Sequence, residues 1–492
     1  MGLYSKALIN APLIPITWLA TSLFGQAPAS TAPTNFQHVV VVFQENRTPD
    51  NLFQGLCSAP YGTASSCSTT PGPGQYNIQT AEWLDKTSPT GKTNPITVPL
   101  ANAYDLSHAH SAFVTQCDLQ PNGTCAMDGA AKVPCSGTCP TQPQFRYVEN
   151  AGGLLNPYLN LATQYGWANN MFQTNQGPSF PAHQFIFGGT SAPSAADDQL
   201  GIYAAENMSG TAAVAGCTAD ATTRVRLVGP DSTEKESTYP CFEHQTMADI
   251  LPQGITWRYY APSAGSIWTA PNAIAHICKS TGPGGKCVGN DWTANVDLTP
   301  AHVLTDIGAC HLRSLTWVIP SGLNSDHANS NDGGGPSWVA SIVNAIGTNT
   351  TCDKEGYWKN TAVVITWDDW GGWYDHVPPT ILPSPFGGYQ LGFRVPLIFV
   401  SAYTKAGYIN NDRHDFGDIL RFAESNFGLQ PGALGFADSR STNQLAGFYD
   451  LSQYPRAFTQ VASHKTASFF IFDKRPATDP DNDGDEGDAP KP

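Results

Sequence analysis

The chain has 492 residues, of which 41% are hydrophobic and 13% charged, with a formal net charge of −15. That length calls for one large domain or a main domain with lobes, and 46 Gly and 39 Pro point to long ordered loops. An acidic chain without clustered Lys and Arg is unsuited to holding a phosphate backbone, which excludes nucleic acid as the main partner.

Residues 1–27 read as an export signal. Lys6 precedes an apolar stretch from about Leu8 to Phe24, and Gly25-Gln26-Ala27 has the small-x-small form of a cleavage site. No other segment approaches the ~20 apolar residues of a membrane span. A secreted or periplasmic protein with at most peripheral membrane contact is expected.

The main domain is expected over residues 36–472. Residues 38–43 form a continuous apolar run, the mark of a strand buried on both faces. Similar runs follow at 255–260, 315–319, 362–367 and 395–400. Between them, 157–165, 246–251, 337–346 and 415–427 are patterned as helices. This alternation predicts an α/β fold with a mostly parallel central sheet between helices. Residues 59–143, rich in Gly, Pro, Ser and Cys, are expected as an elaborated loop region.

Twelve cysteines, an even number, suit an oxidising compartment and as many as six disulfides. Cys135 and Cys139 have a spacing that zinc could use, but no second Cys/His pair follows at zinc-finger distance. Disulfide-stapled loops are the better reading. Residues 474–492 read as an acidic disordered tail. Its Asp479–Gly484 opening resembles a calcium loop, yet Pro490 stands where a bidentate Glu is required.

Chemistry in open α/β sheets sits beyond the carboxyl ends of strands. Glu45, Asn46 and Arg47 follow the first strand. Asp368 and Asp369 follow 362–367, and Asp326-His327 comes shortly after 315–319. Carboxylates, an amide and a histidine are what a hard divalent cation takes. Each has a plainer account: Glu45 could pair with Arg47 or Arg394, and Asp368-Asp369 could be a cap and a turn. Three strand ends together favour the site. Ser179, in Gly177-Pro178-Ser179-Phe180-Pro181, sits in a fixed turn that is not a Gly-x-Ser-x-Gly elbow. It is either a nucleophile beside a metal or a helix cap. Among the histidines, His108 and His110 are the most suggestive, then His327. His244, His376 and His414 adjoin acids and could be structural. His38, His183, His276, His302, His311 and His464 stay unassigned.

These segments resemble the bacterial phospholipase C and acid phosphatase family of the alkaline-phosphatase-like superfamily. The resemblance rests on Glu45-Asn46-Arg47-Thr48-Pro49-Asp50, Asp105 to His108, Pro178-Ser179-Phe180-Pro181 and Ser325-Asp326-His327. It continues through Asp368-Asp369 to Asp375-His376-Val377, Gly392-Phe393-Arg394 and His414 to Glu424. It implies one divalent metal ion (calcium, magnesium, manganese or zinc) held by Glu45, Asn46, Asp368 and Asp369, with Ser179 as nucleophile. Asn46, His108 and His327 would contact phosphoryl oxygens, and His244 could join them. The substrate would be a phosphate ester or a phospholipid, cleaved through a phosphoserine. Pro49 and the Ala182-His183 pair depart from the family's usual Phe and Asn-Arg. Trp83, Trp370, Trp373 and Tyr374 could form an apolar lip or belong to the core. Two alternatives remain. A non-catalytic extracellular binding protein on the same scaffold would be marked by loss of a ligand, and none is lost. A sulfatase-like hydrolase would want arginine where His183 stands.

Overall fold

The computed structural model describes residues 34–209, 214–382, 389–441 and 443–477. The export-signal segment and the acidic stretch beyond 477, with its calcium-loop-like opening, lie outside them.

An eight-stranded sheet runs through the middle of the fold. Its strands are β1 (His38–Gln44), β2 (Gly166–Met171), β3 (Trp257–Tyr260), β4 (Val296–Asp297), β5 (Leu315–Val318), β6 (Thr361–Trp367), β7 (Leu397–Ser401) and β8 (Tyr408–His414). The spatial order is β4-β3-β5-β1-β6-β7-β2-β8. β7 alone runs against its neighbours; every other pairing is parallel. The apolar runs of β1, β5, β6 and β7 are buried along their whole length, as strands covered on both faces must be.

Two groups of helices provide the cover. In one, α2 (Asn156–Gln164) packs on α4 (Gly335–Thr348); in the other, α3 (Ser179–Gly188) packs on α5 (Phe416–Asn426). A further helix, α1 (His110–Cys117), lies in the loop region. The sequence pattern anticipated all of these except α1 and α3. It also missed the two-residue β4, and β2 and β8, whose asparagines lack β propensity. In β2, Asn169 is held by tertiary bonds: its Oδ1 accepts from Trp167 Nε1 and Asn77 N–H, each within 2.9 Å.

All twelve cysteines are bridged, as Cys57–Cys67, Cys117–Cys125, Cys135–Cys139, Cys217–Cys241, Cys278–Cys287 and Cys310–Cys352. The zinc spacing of Cys135 and Cys139 therefore serves a disulfide. Among the described residues, no helix is long and apolar enough to cross a membrane.

Candidate active site

β1 and β6 are adjacent and parallel, with Gln44 level with Trp367 at their carboxyl ends. The next residues, Glu45 and Asp368, are thus delivered side by side. Asn46 takes a left-handed turn (φ 57°) and donates its backbone N–H to Asp368 Oδ1 at 2.8 Å. Gly371 (φ 63°) passes so close that a Cβ there would lie 2.6 Å from the Asn46 carbonyl oxygen.

From across the fold, α3 brings Ser179. This serine is the first residue of the helix, behind a Pro178 N-cap that has no capping side chain. Its hydroxyl donates to Asp369 Oδ2 at 3.2 Å, while Asp369 Oδ1 accepts from Gly371 N–H at 2.7 Å. The positive end of the helix dipole at Ser179 favours an oxyanion there.

One turn further along α3, His183 points Nε2 at Glu45 Oε1 (3.3 Å) and Asp368 Oδ2 (3.9 Å). Ligand atoms of Glu45, His183 and Asp368 gather within 4.8 Å of one another, and all three residues are buried. His183 was not assigned from sequence. Its signal is the i, i+4 spacing from Ser179, legible only once the helix is known to start at the serine.

Two histidines form the facing wall. His108 Nδ1 donates to Leu106 O at 2.9 Å, so Nε2 of the neutral ring accepts from Asn46 Nδ2 at 3.1 Å. His327 Nδ1 donates to Ala328 O at 2.8 Å, and its ring centre lies 5.7 Å from that of His108. The Trp268 indole packs between His183 and His327, with centroid distances of 6.3 and 6.2 Å.

The donors suit a divalent cation. Asn46 Oδ1 and Asp368 Oδ2 are buried without a hydrogen-bond partner, and Glu45, Asp368 and Asp369 are all fully buried. Carboxylates crowded in a dry interior are costly unless a cation joins them. The arginines that could have neutralised Glu45 are committed to other partners. Arg47 donates to Asp326 O, Asn51 Oδ1 and Leu100 O. Arg394 forks onto Asp375 and also reaches Asn77 O and Asn169 O.

Some residues singled out from sequence lie elsewhere. Asp326 is structural: its Oδ2 accepts from Tyr158 OH and Trp367 Nε1, and burial pushes its carboxyl up to about 6, with Arg47 opposing. His110 leaves His108 to bond Glu234 Oε1 at 3.0 Å, because the start of α1 turns it toward the strand Glu234–Thr238. His244 packs against Gly188 and Phe436. That is the far end of α3, about 13 Å along the axis from Ser179. Burial holds its imidazole below the usual range. A second acidic group, Asp50, Asp375 and His376, already has Arg394 as its cation. His414 bonds Asp418 and Asn410 at the end of β8. Trp83, Trp370, Trp373 and Tyr374 are core, not lip. Pro49 takes the first position of the short helix Pro49–Leu52, where proline is well suited.

Residues 36–430 match the Phosphoesterase family. Among curated proteins, the chain is 25% identical over 207 residues to the non-hemolytic phospholipase C of Pseudomonas aeruginosa, covering 36% of this chain and 28% of that protein. It is 27% identical over 150 residues to phospholipase C A of Mycobacterium tuberculosis, covering 26% and 28%. With the hemolytic phospholipase C of P. aeruginosa, identity is 22% over 309 residues, or 55% and 38% of the two chains. The matches thus span well under half the length of these relatives. A solved structure of an alkaline phosphatase superfamily protein from Vibrio parahaemolyticus is similar at TM-score 0.31 and 13% identity, covering 59% of this chain and 64% of that one. The family match extends through every strand end described above, from Glu45 to Asp369, and the chain belongs to the Phosphoesterase family.

Proposed function

We propose that the chain is a divalent-metal-dependent phosphoesterase with Ser179 as its nucleophile. The observation that carries this reading is the Ser179 hydroxyl 3.2 Å from Asp369 Oδ2, at a helix N-terminus beside Glu45, Asp368 and His183. Glu45, Asn46, Asp368 and Asp369 would hold the ion, with His183 beside them. When bound, the ion would lower the pKa of a nearby hydroxyl and offset phosphoryl charge.

The protein's own groups have distinct tasks. Asp369 Oδ2 orients the Ser179 proton away from the attacking lone pair. Ser179 Oγ gives its proton to Asp369 and bonds to phosphorus as the phosphorus–ester oxygen bond breaks, and the leaving oxygen takes a proton from an imidazolium. Water then cleaves the phosphoserine and restores the hydroxyl. His327 is suited to the proton: its Nδ1–H is fixed on a backbone carbonyl, so a proton gained at Nε2 points into the site. His108 Nε2 instead accepts from Asn46 Nδ2 and holds that amide in place. His244 has no part in this scheme.

The relatives support a substrate class. Several are phospholipases C, which supports a phosphodiester whose leaving group is the lipid alcohol. A phosphomonoesterase would use the same groups. Six disulfides support work in an oxidising compartment, periplasmic or extracellular. The test is hydrolysis of p-nitrophenyl phosphate and p-nitrophenylphosphorylcholine, with and without chelator, from acidic to mildly alkaline pH. Chelator-sensitive release from the choline diester establishes a phospholipase C, and release from the monoester alone a phosphatase. Folded, metal-restored protein inert toward both overturns the reading.

A further inference from the structure

Gln173 lies just beyond β2, buried completely, between the two loops that carry the nucleophile and the acidic ligands. Its backbone is pinned on both sides, N–H to Phe393 O and O to Gly392 N–H, each at 3.0 Å. The side chain then spans the site's two halves. Its Oε1 accepts from Trp370 N–H at 2.9 Å, one residue after Asp369. Its Nε2 donates to Asn175 O at 3.0 Å and Gly177 O at 3.1 Å, the latter two residues before Ser179. Asn175 extends the brace, donating Nδ2 to Gly177 O at 2.7 Å and Pro178 O at 3.1 Å. Gly392 leaves the space for this arrangement, since a Cβ there would strike Asn175 O and the Gln173 side chain.

A carboxamide is the one side chain that meets this demand. A buried backbone N–H on one side needs an acceptor, and two buried carbonyls on the other need donors. Glutamate would turn carboxylate oxygens toward carbonyl oxygens, and an aliphatic residue would strand Trp370 N–H and Asn175 O and leave Gly177 O to the Asn175 amide alone. The brace also sets the quantity that matters for attack. Ser179 reaches Asp369 through a single hydroxyl contact, and a shift of about 1 Å in such geometry can cost about a hundredfold in rate.

We infer that Gln173 is a positioning residue that registers the Ser179 turn against the Asp368-Asp369 loop. The inference rests on Ser179 being the nucleophile. It is tested with Gln173→Met, which keeps the volume and loses the hydrogen bonds, and Gln173→Glu, whose protonated form restores an isosteric donor and acceptor. Steady-state rates are measured on whichever p-nitrophenyl ester the wild type turns over, with Mn2+ affinity followed by calorimetry. In Q173M we expect kcat to fall about a hundredfold while KM and Mn2+ affinity stay within about threefold. In Q173E, kcat relative to wild type should rise as pH falls, because burial raises the acid's pKa and the protonated side chain regains a donor. A Q173M enzyme with wild-type kcat overturns the inference, as does a Q173E-to-wild-type ratio that is flat with pH. Should Q173M fail to fold, the Q173E profile decides alone. Ser179→Ala separates the two questions. If S179A keeps turnover, the nucleophile reading falls; if S179A is dead and Q173M is normal, the role of Gln173 alone falls.

Discussion

Ser179 and His183 stand four residues apart on α3, so the hydroxyl and the imidazole share one face of a helix and meet the strand-end acids together. Ser179→Ala should reduce turnover by on the order of a millionfold and leave the fold intact, which a p-nitrophenyl ester assay beside a melting curve will check. His183→Gln removes the nitrogen 3.3 Å from Glu45. Metal affinity should then drop about 10–100-fold, measured by calorimetry with Mn2+, with loss of activity recovered at high metal. At this scale the sequence was partly transparent. Glu45, Asn46, Asp368 and Asp369 were legible because a doubly buried strand ends abruptly and its next residues can point only to the sheet edge. His183 was not, since a lone histidine in an apolar run is ordinarily core. Nor could spacing separate His108 from His110. The ring of one folds back on Leu106 O, and that of the other reaches Glu234 on a strand more than a hundred residues away.

The strand-end loops act as units. Gly371 has φ 63° and no room for a Cβ against Asn46. Gly371→Ala therefore strains its own backbone and pushes the Asn46 turn off Asp368. A stability loss of about 1–3 kcal/mol is expected, with a weakened metal site, read by thermal unfolding with and without added Mn2+. Arg394 ties the Asp375 loop to β2 through Asn169 O and to the 77 segment through Asn77 O. The elements most visible in sequence were the continuous apolar runs of β1, β3, β5, β6 and β7 and the helical periods of α2, α4 and α5. Among those missed, β2 and β8 carry asparagines held by tertiary hydrogen bonds, and α1 and α3 show no helical period.

Across the molecule, several buried acids keep their protons to unusually high pH. Asp415 is pushed up to about 7 by burial and by the Asp418 charge. Glu424 reaches about 7 by burial and its hydrogen bond with Asp438, and burial takes Asp326 to about 6. An unfolded carboxyl releases its proton near pH 4, so between about pH 4 and 7 the folded chain binds more protons than the unfolded one. This contribution to stability therefore falls as pH rises through that window. The unfolding midpoint should decline from about pH 5 to about pH 8. Asp415→Asn, which keeps an N-cap acceptor for α5, should flatten the slope; an unchanged slope would count against the assignment of Asp415.

The six bridges join cysteines strictly in order, each to the next along the chain, with none nested or crossed. The widest separation is 42 residues. A polypeptide with this wiring can be oxidised from one end as it emerges, every thiol meeting its proper partner first. Correct pairing then needs an oxidant but no shuffling catalyst, so yield from the reduced, denatured chain should be indifferent to added disulfide isomerase.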